Sequence, residues 1–218
     1  MSKPIRKMTM EDIKAFAKQC LCNSRGSHDW EHTCRVYKLC MRLGPVEGAD
    51  LEVLSVAAYL HDIGRPWQDQ AKGGICHAEK GAEMAGPLLE HYPVSGSQRA
   101  NIIHCIRSHR FRGTCEPMTL EAKVLFDADK LDAIGAIGIA RAFHFAGEIG
   151  AKLHNPRLEP ADAAAYTEED TGYREYKLKL SKIKDRMLTT EGRLVARERH
   201  RFMEMFFRTF LGDYEGEA

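Results

Sequence analysis

No stretch of this 218-residue chain approaches the roughly 20 consecutive apolar residues a membrane-spanning helix needs, so no span is expected. Charge of one sign is also missing. The formal net charge is +1, which removes the global field that would favour a nucleic-acid duplex or a membrane surface. There is no Cys-x-x-Cys pair. The seven cysteines, an odd number, are scattered between Cys20 and Cys115, which describes reduced thiols rather than a disulfide framework. The opening MSKPIRKMTM carries no apolar h-region, so no secretory signal is expected and the cytoplasm is the expected compartment. No convincing strand pattern, internal repeat or low-complexity tract occurs. What is present is an ordinary 44% of apolar residues, enough for one domain or one domain with an extension.

Those apolar residues recur at helical spacing almost throughout, which predicts an all-α protein. Thr9 with Asp12 starts a helix reaching about Cys22. Ser27 caps a second, about His28 to Leu43, with Gly44-Pro45 as its stop. A third, about Ala49 to Asp62, is almost wholly apolar after Glu52 and is therefore expected at the centre of the core. Gln68 to Gly74 reads as a polar loop. Further helices are predicted over about 77–91, 98–109, 119–133, 171–188 and 191–211, with a long mobile loop over about 150–168.

Periodicity sorts the polar residues. His32, Val36, Leu39 and Leu43 form one stripe, which turns His32 toward the core. Leu54, Ala57, Ala58 and His61 form another, with Asp62 immediately after. A His-Asp pair ending an otherwise apolar helix is costly to bury unless something compensates it, such as a metal or catalytic role. In FDADKLDAIG, Asp129 shares a side with Leu125, Phe126 and Ala133, whereas Asp127 falls with Lys123 and Lys130 on a face expected in solvent. His77 lines up with Gly81, Ala85 and Leu88, and His109 with Ile102 and Ile106. His104 points the other way and is expected to be exposed. The inward set is thus His32, His61, Asp62 and Asp129, with His77 and His109 as outer candidates. Mixed imidazole and carboxylate donors suit a divalent ion: Mn, Fe, Co, Ni, Zn or, less well, Mg.

The stretch HDWEH, His28 to His32, is one residue away from the His-Glu-x-x-His signature of zinc proteases. Asp29 stands where the general-base Glu belongs, and a shorter acid does not serve that geometry. The protease reading is therefore the weaker one.

Four segments together carry a resemblance: HDWEHTCRV, AAYLHDIG, HAEKGAEMAGPLL and DADKLDAIGAIGIAR. In that order they resemble the HD-domain superfamily of metal-dependent phosphohydrolases, in particular its small bacterial members that act on nucleotides. The likeness covers roughly residues 10 to 150. It implies an HD-domain helical bundle over 1–150, with the loop and helices of 151–218 as an extension packing on it. It also implies His32, His61, Asp62 and Asp129 as metal ligands, and leaves His28 as a neighbour of substrate or water.

The resemblance favours one tight metal, with His77 and His109 lining the pocket, and allows a second ion with Asp62 as the bridge. Arg35, and less strongly Arg65, are the candidates to clamp phosphate, ahead of Lys72 and Lys130. Related nucleotidases place an acid shortly after the His-Asp pair as proton donor, and here Asp69 is the candidate. Trp30 and Trp67 are candidates for stacking on a base or for ordinary packing. The basic run REYKLKLSKIKDRM suits a solvated helix face better than a polyphosphate or a second subunit, so a homodimer stays an open reading.

The expected partner is a small phosphorylated substrate, most naturally a nucleotide, with pyrophosphate release from a triphosphate as the leading reaction. A two-metal phosphodiesterase, a 5'-nucleotidase and a nucleotide-binding HD protein without catalysis are the alternatives.

Overall fold

A computed structural model describes residues 7–22, 29–71, 73–110 and 115–217. Among these residues there is no strand, and no helix is long and apolar enough to cross a membrane. The chain divides into two compact units, residues 1–129 and 130–218.

The first unit holds α1 (Met10–Leu21), α2 (Trp30–Glu47), α3 (Leu51–Leu60), α4 (Arg65–Gln70), α5 (His77–Glu90), α6 (Gly96–Ser108) and most of α7 (Leu120–Asp132). Thr9 and Asp12 close a reciprocal capping box on α1, and Ser95 and Gln98 do the same on α6. The apolar α3 is buried from Val53 onward and packs against α1, α2 and α6, as its composition requires. Its start is fixed by Asp50, which caps Glu52 and Val53 and accepts from Gln98 Nε2 at 2.9 Å. Glu121 of α7 accepts from Asp50 N and from Asn101 Nδ2, both at 2.8 Å, tying the starts of α3 and α7 to α6.

Three local expectations change. Helix α2 runs through Gly44-Pro45 and stops at Gly48, whose φ of 80° is the left-handed conformation that ends helices. A Cβ at Gly44 would lie 2.6 Å from Leu54 Cδ1, so this glycine serves close packing on α3 rather than termination. Residues 68–70, expected in the polar loop, end a short helix over Arg65–Gln70, with Pro66 in its first turn, where a missing N–H costs nothing. Asp127 and Lys130 are buried rather than solvated, because α7 is enclosed on nearly every side from Ala122 to Asp132 and so has no solvent stripe for charges to share.

The second unit holds α8 (Gly135–Glu148), α9 (Gly172–Leu178), a 3-10 helix (Leu180–Arg186) and α10 (Thr190–Glu215). An aromatic cluster builds its core: Phe143 of α8 meets Phe206, Phe207 and Phe210 of α10, and Tyr176 stacks on Phe207 at 4.2 Å. Two of its buried carboxylates are paired with arginines. Arg141 donates to Asp132 at 2.7 Å, and Arg174 donates to Asp170 at 2.7 Å. The irregular segment before α9 is tied at its ends, Lys152 N donating to Glu168 O at 2.7 Å.

Candidate metal centre

The chemistry-bearing side chains of the first unit converge around the end of α3. His61 is the residue that closes that helix, and Asp62 follows it; both are buried. His32 comes from the first turn of α2. Asp29 caps that turn by accepting from His32 N at 2.8 Å. The acid that looked like a displaced protease base is therefore an N-cap residue, and His28, the other half of that motif, lies outside the described residues.

Helix α5 brings His77 and the end of α6 brings His109, both buried. Two glycines permit the approach. A Cβ on Gly64 would sit 2.2 Å from His77 O, and one on Gly81 would press Ile106 at 3.3 Å. The φ of Gly64 is an ordinary −82°, so lack of bulk, not backbone freedom, is what this position needs.

These residues form two triads. His32, His61 and Asp129 offer donor atoms within 4.8 Å of one another, and so do Asp62, His77 and His109. Asp62 faces both. Its Oδ2 lies 3.8 Å from His32 Nε2 and 3.7 Å from His61 Nε2, while its Oδ1 lies 3.4 Å from the Nε2 atoms of both His77 and His109. Asp129 Oδ1 is 3.4 Å from His32 Nε2 and its side chain is 13% exposed.

The tautomers follow from the outer hydrogen bonds. His61 Nδ1 donates to Ala58 O at 2.8 Å, His77 Nδ1 donates to Gln68 Oε1 at 2.7 Å, and His109 Nδ1 donates to Ile106 O at 2.6 Å. Burial lowers the pKa of His61 to about 4 and that of His77 to about 2, against the opposing pull of Asp62. Both rings are then neutral near pH 7, and their inner Nε2 atoms carry lone pairs. Yet His61 Nε2 faces His32 Nε2 at 3.4 Å, and His77 Nε2 faces His109 Nε2 at 3.1 Å, beside a carboxylate in each case. Lone pairs directed at one another and at an anion are unfavourable in a buried place unless a cation or a proton is shared between them. Imidazole nitrogens and carboxylate oxygens, with the rings of His61, His77 and His109 each held by an outer hydrogen bond, make a donor set that fits a divalent ion.

The other candidates are placed as follows. Arg65 Nη2 donates to Asp62 Oδ1 at 3.0 Å and to Oδ2 at 3.3 Å. Arg35 is half-buried on α2. Asp69 is exposed on α4, and Lys72 lies outside the described residues. Trp30 stacks on Tyr59 with ring centroids 5.9 Å apart. His104, expected to be exposed, is half-buried, and its Nε2 accepts from Met118 N at 2.9 Å. Gln68, which orients His77, was hidden in the segment read as a loop. The signal that would have found it is the proline in the first turn of a short helix.

Comparison with known proteins places the chain in a family. The HD domain family matches residues 29–134. The Bacillus subtilis protein YpgQ is 36% identical over 211 residues, covering 94% of each chain. The crystal structure of an HD-superfamily hydrolase from Bacillus thuringiensis superposes with a TM-score of 0.75 at 31% identity, over 94% of this chain and 96% of that one. Bacillus subtilis YpgQ in complex with ADP superposes with a TM-score of 0.70 at 29% identity, over 94% of both chains. The chain belongs to the HD-domain superfamily of metal-dependent phosphohydrolases.

Proposed function

We propose that the protein hydrolyses a small nucleotide, with release of pyrophosphate from a nucleoside triphosphate as the leading reaction, in a core spanning residues 1–150. The observation that carries the reading is the set of inward-facing imidazole nitrogens and carboxylate oxygens gathered on Asp62, a donor set that suits a divalent cation. His32, His61, Asp62 and Asp129 would hold that ion. When bound, a divalent metal supplies a water of lowered pKa and neutralises phosphoryl charge. The residues do the rest. His61 and His109 keep their Nδ1 protons on backbone carbonyls, so the ring edges turned inward stay fixed as acceptors. His77 and His109 line the place where a phosphate would enter, and Arg35 and Arg65 are the cationic groups assigned to it. The ADP complex of YpgQ supports a nucleotide as the ligand class. Asp69 is assigned as proton donor; because it is exposed in the substrate-free chain, that role requires it to be brought to the bound phosphate.

A second reading, a two-metal phosphodiesterase, is favoured by one observation: Asp62, His77 and His109 form a second triad as compact as the first. The test is a panel of nucleoside mono-, di- and triphosphates, cyclic nucleotides and simple phosphoesters, assayed with Mn, Co, Ni and Mg. Pyrophosphate from triphosphates supports the first reading and opened cyclic nucleotides support the second. Absence of turnover with every pair would overturn both.

A further inference from the structure

We propose that Arg65 is the built-in cation of the second triad: its guanidinium holds Asp62 so that one ion binds tightly at His32–His61–Asp129, and a second binds at Asp62–His77–His109 only weakly. This rests on the metal-dependent reading above.

The two triads are alike in donor type but not in surroundings. Each has two imidazoles, and Asp62 presents one oxygen to each pair. The first pair has a carboxylate of its own in Asp129, 3.4 Å from His32 Nε2. Among the described residues, the second triad takes its one carboxylate from Asp62. The oxygen of Asp62 that faces this second pair, Oδ1, is also the one Arg65 Nη2 approaches more closely, at 3.0 Å against 3.3 Å for Oδ2. A dication entering there would meet a carboxylate already shared with a fixed positive charge, and like charges at such separation in a buried place oppose each other. The guanidinium cannot lose its charge, so the opposition persists at any physiological pH. Its position is also well determined. Arg65 lies three residues after Asp62, opens α4 and has a side chain only 14% exposed. His77, in the same triad, is steered by Gln68 of that same short helix. One six-residue helix therefore supplies both the orientation of the second site and the charge that disfavours filling it.

The experiment is a titration of chelator-stripped full-length protein with Mn2+ alone, followed by calorimetry for stoichiometry and affinity and by electron paramagnetic resonance for spin-coupled ion pairs. Wild type is expected to bind one Mn2+ tightly and a second at least tenfold more weakly. Arg65→Gln should tighten the second event at least tenfold relative to the first and develop the spin-coupled signal. Arg65→Lys, which keeps the charge, should retain the wild-type pattern and separates charge from packing. A folded Arg65→Gln with the wild-type ratio of affinities overturns the proposal, as does a raised KM for a nucleotide with no change in ion binding, which would make Arg65 a phosphate clamp only. Two equally tight ions in wild type overturn the role of Arg65 while leaving the hydrolase reading intact. No Mn2+ bound by any variant removes the hydrolase reading itself, and this proposal with it.

Discussion

The two compact units bury charge in opposite ways. In residues 130–218 two buried carboxylates sit in matched couples, Asp132 with Arg141 and Asp170 with Arg174, each facing a guanidinium at 2.7 Å. In residues 1–129 the buried cluster sets imidazole against imidazole: ring nitrogens 3.1 and 3.4 Å apart, with carboxylates among them and Arg65 on Asp62. The first pattern joins opposite charges and holds a fold together. The second gathers the donor types that a divalent ion takes. Burial of polar groups by itself therefore does not mark a site; burial of polar groups that do not satisfy one another does.

The largest effect expected from this contrast is at Asp129. Asp129→Ala should lower turnover by about a thousandfold or more, since loss of a ligand removes charge stabilisation worth several kcal/mol in the transition state. Melting of the metal-free chain should change by no more than a few degrees, because one anion leaves a cluster already rich in acceptors. A steady-state assay and a thermal melt on the same preparation measure both. Wild-type rates would show that the ligand assignment is wrong.

The next effect is a pH dependence. His61 and His77 have pKa values of about 4 and about 2 in the folded chain, below the usual 6.5, so between pH 6.5 and 4 the unfolded chain binds protons the folded one does not. Stability of the metal-free protein is then full above pH 6.5 and falls as pH falls, by up to about 1.4 kcal/mol per unit per histidine. Urea midpoints of chelator-treated protein between pH 7.5 and 5 test the sign, and a flat profile would remove the argument for neutral inner nitrogens. Added metal should steepen the loss, because protons and metal compete for the same lone pairs.

How far this was readable from sequence follows the same division. The apolar stripe of α2 sufficed to turn His32 inward, and the almost wholly apolar α3 made the His61-Asp62 pair at its end stand out. The same logic misplaced Asp127 and Lys130, since α7 is enclosed nearly all round and a one-face rule has nothing to sort. Gly44-Pro45 was read as a helix stop. In the fold Gly44 makes room for Leu54, as Gly64 does for the backbone of His77, and tertiary closeness of that kind leaves no local mark. The pairing of His77 with Gln68 was likewise invisible, because it depends on α4 packing against α5.

In the second unit the matched couples predict the reverse of Asp129: structure lost, chemistry indifferent. Arg141→Ala takes the guanidinium away from Asp132, whose side chain is 2% exposed. The cost should be roughly 2–3 kcal/mol, below the 3–5 typical of a wholly buried pair because Arg141 is partly exposed. Urea unfolding measures it, and Mn2+ affinity should not move. A variant that kept its stability but lost metal would place this couple in the site and erase the contrast between the units.

The smallest effect tests the contrast at its edge, where a neutral side chain completes the cluster from outside. Gln68 accepts from His77 Nδ1 at 2.7 Å and so fixes which nitrogen of that ring faces Asp62. Gln68→Ala should loosen the ring and weaken ion binding at the Asp62–His77–His109 triad by about tenfold, the lower end of what outer partners of ligating histidines contribute, since an amide polarises imidazole less than a carboxylate does. Gln68→Glu should act in the opposite direction, drawing the Nδ1 proton more strongly and making the inward nitrogen a better donor to a cation. Binding isotherms for the two variants must therefore fall on opposite sides of wild type. If both weaken binding equally, Gln68 only fills space between α4 and α5, and the orientation of His77 is set by packing rather than by this hydrogen bond.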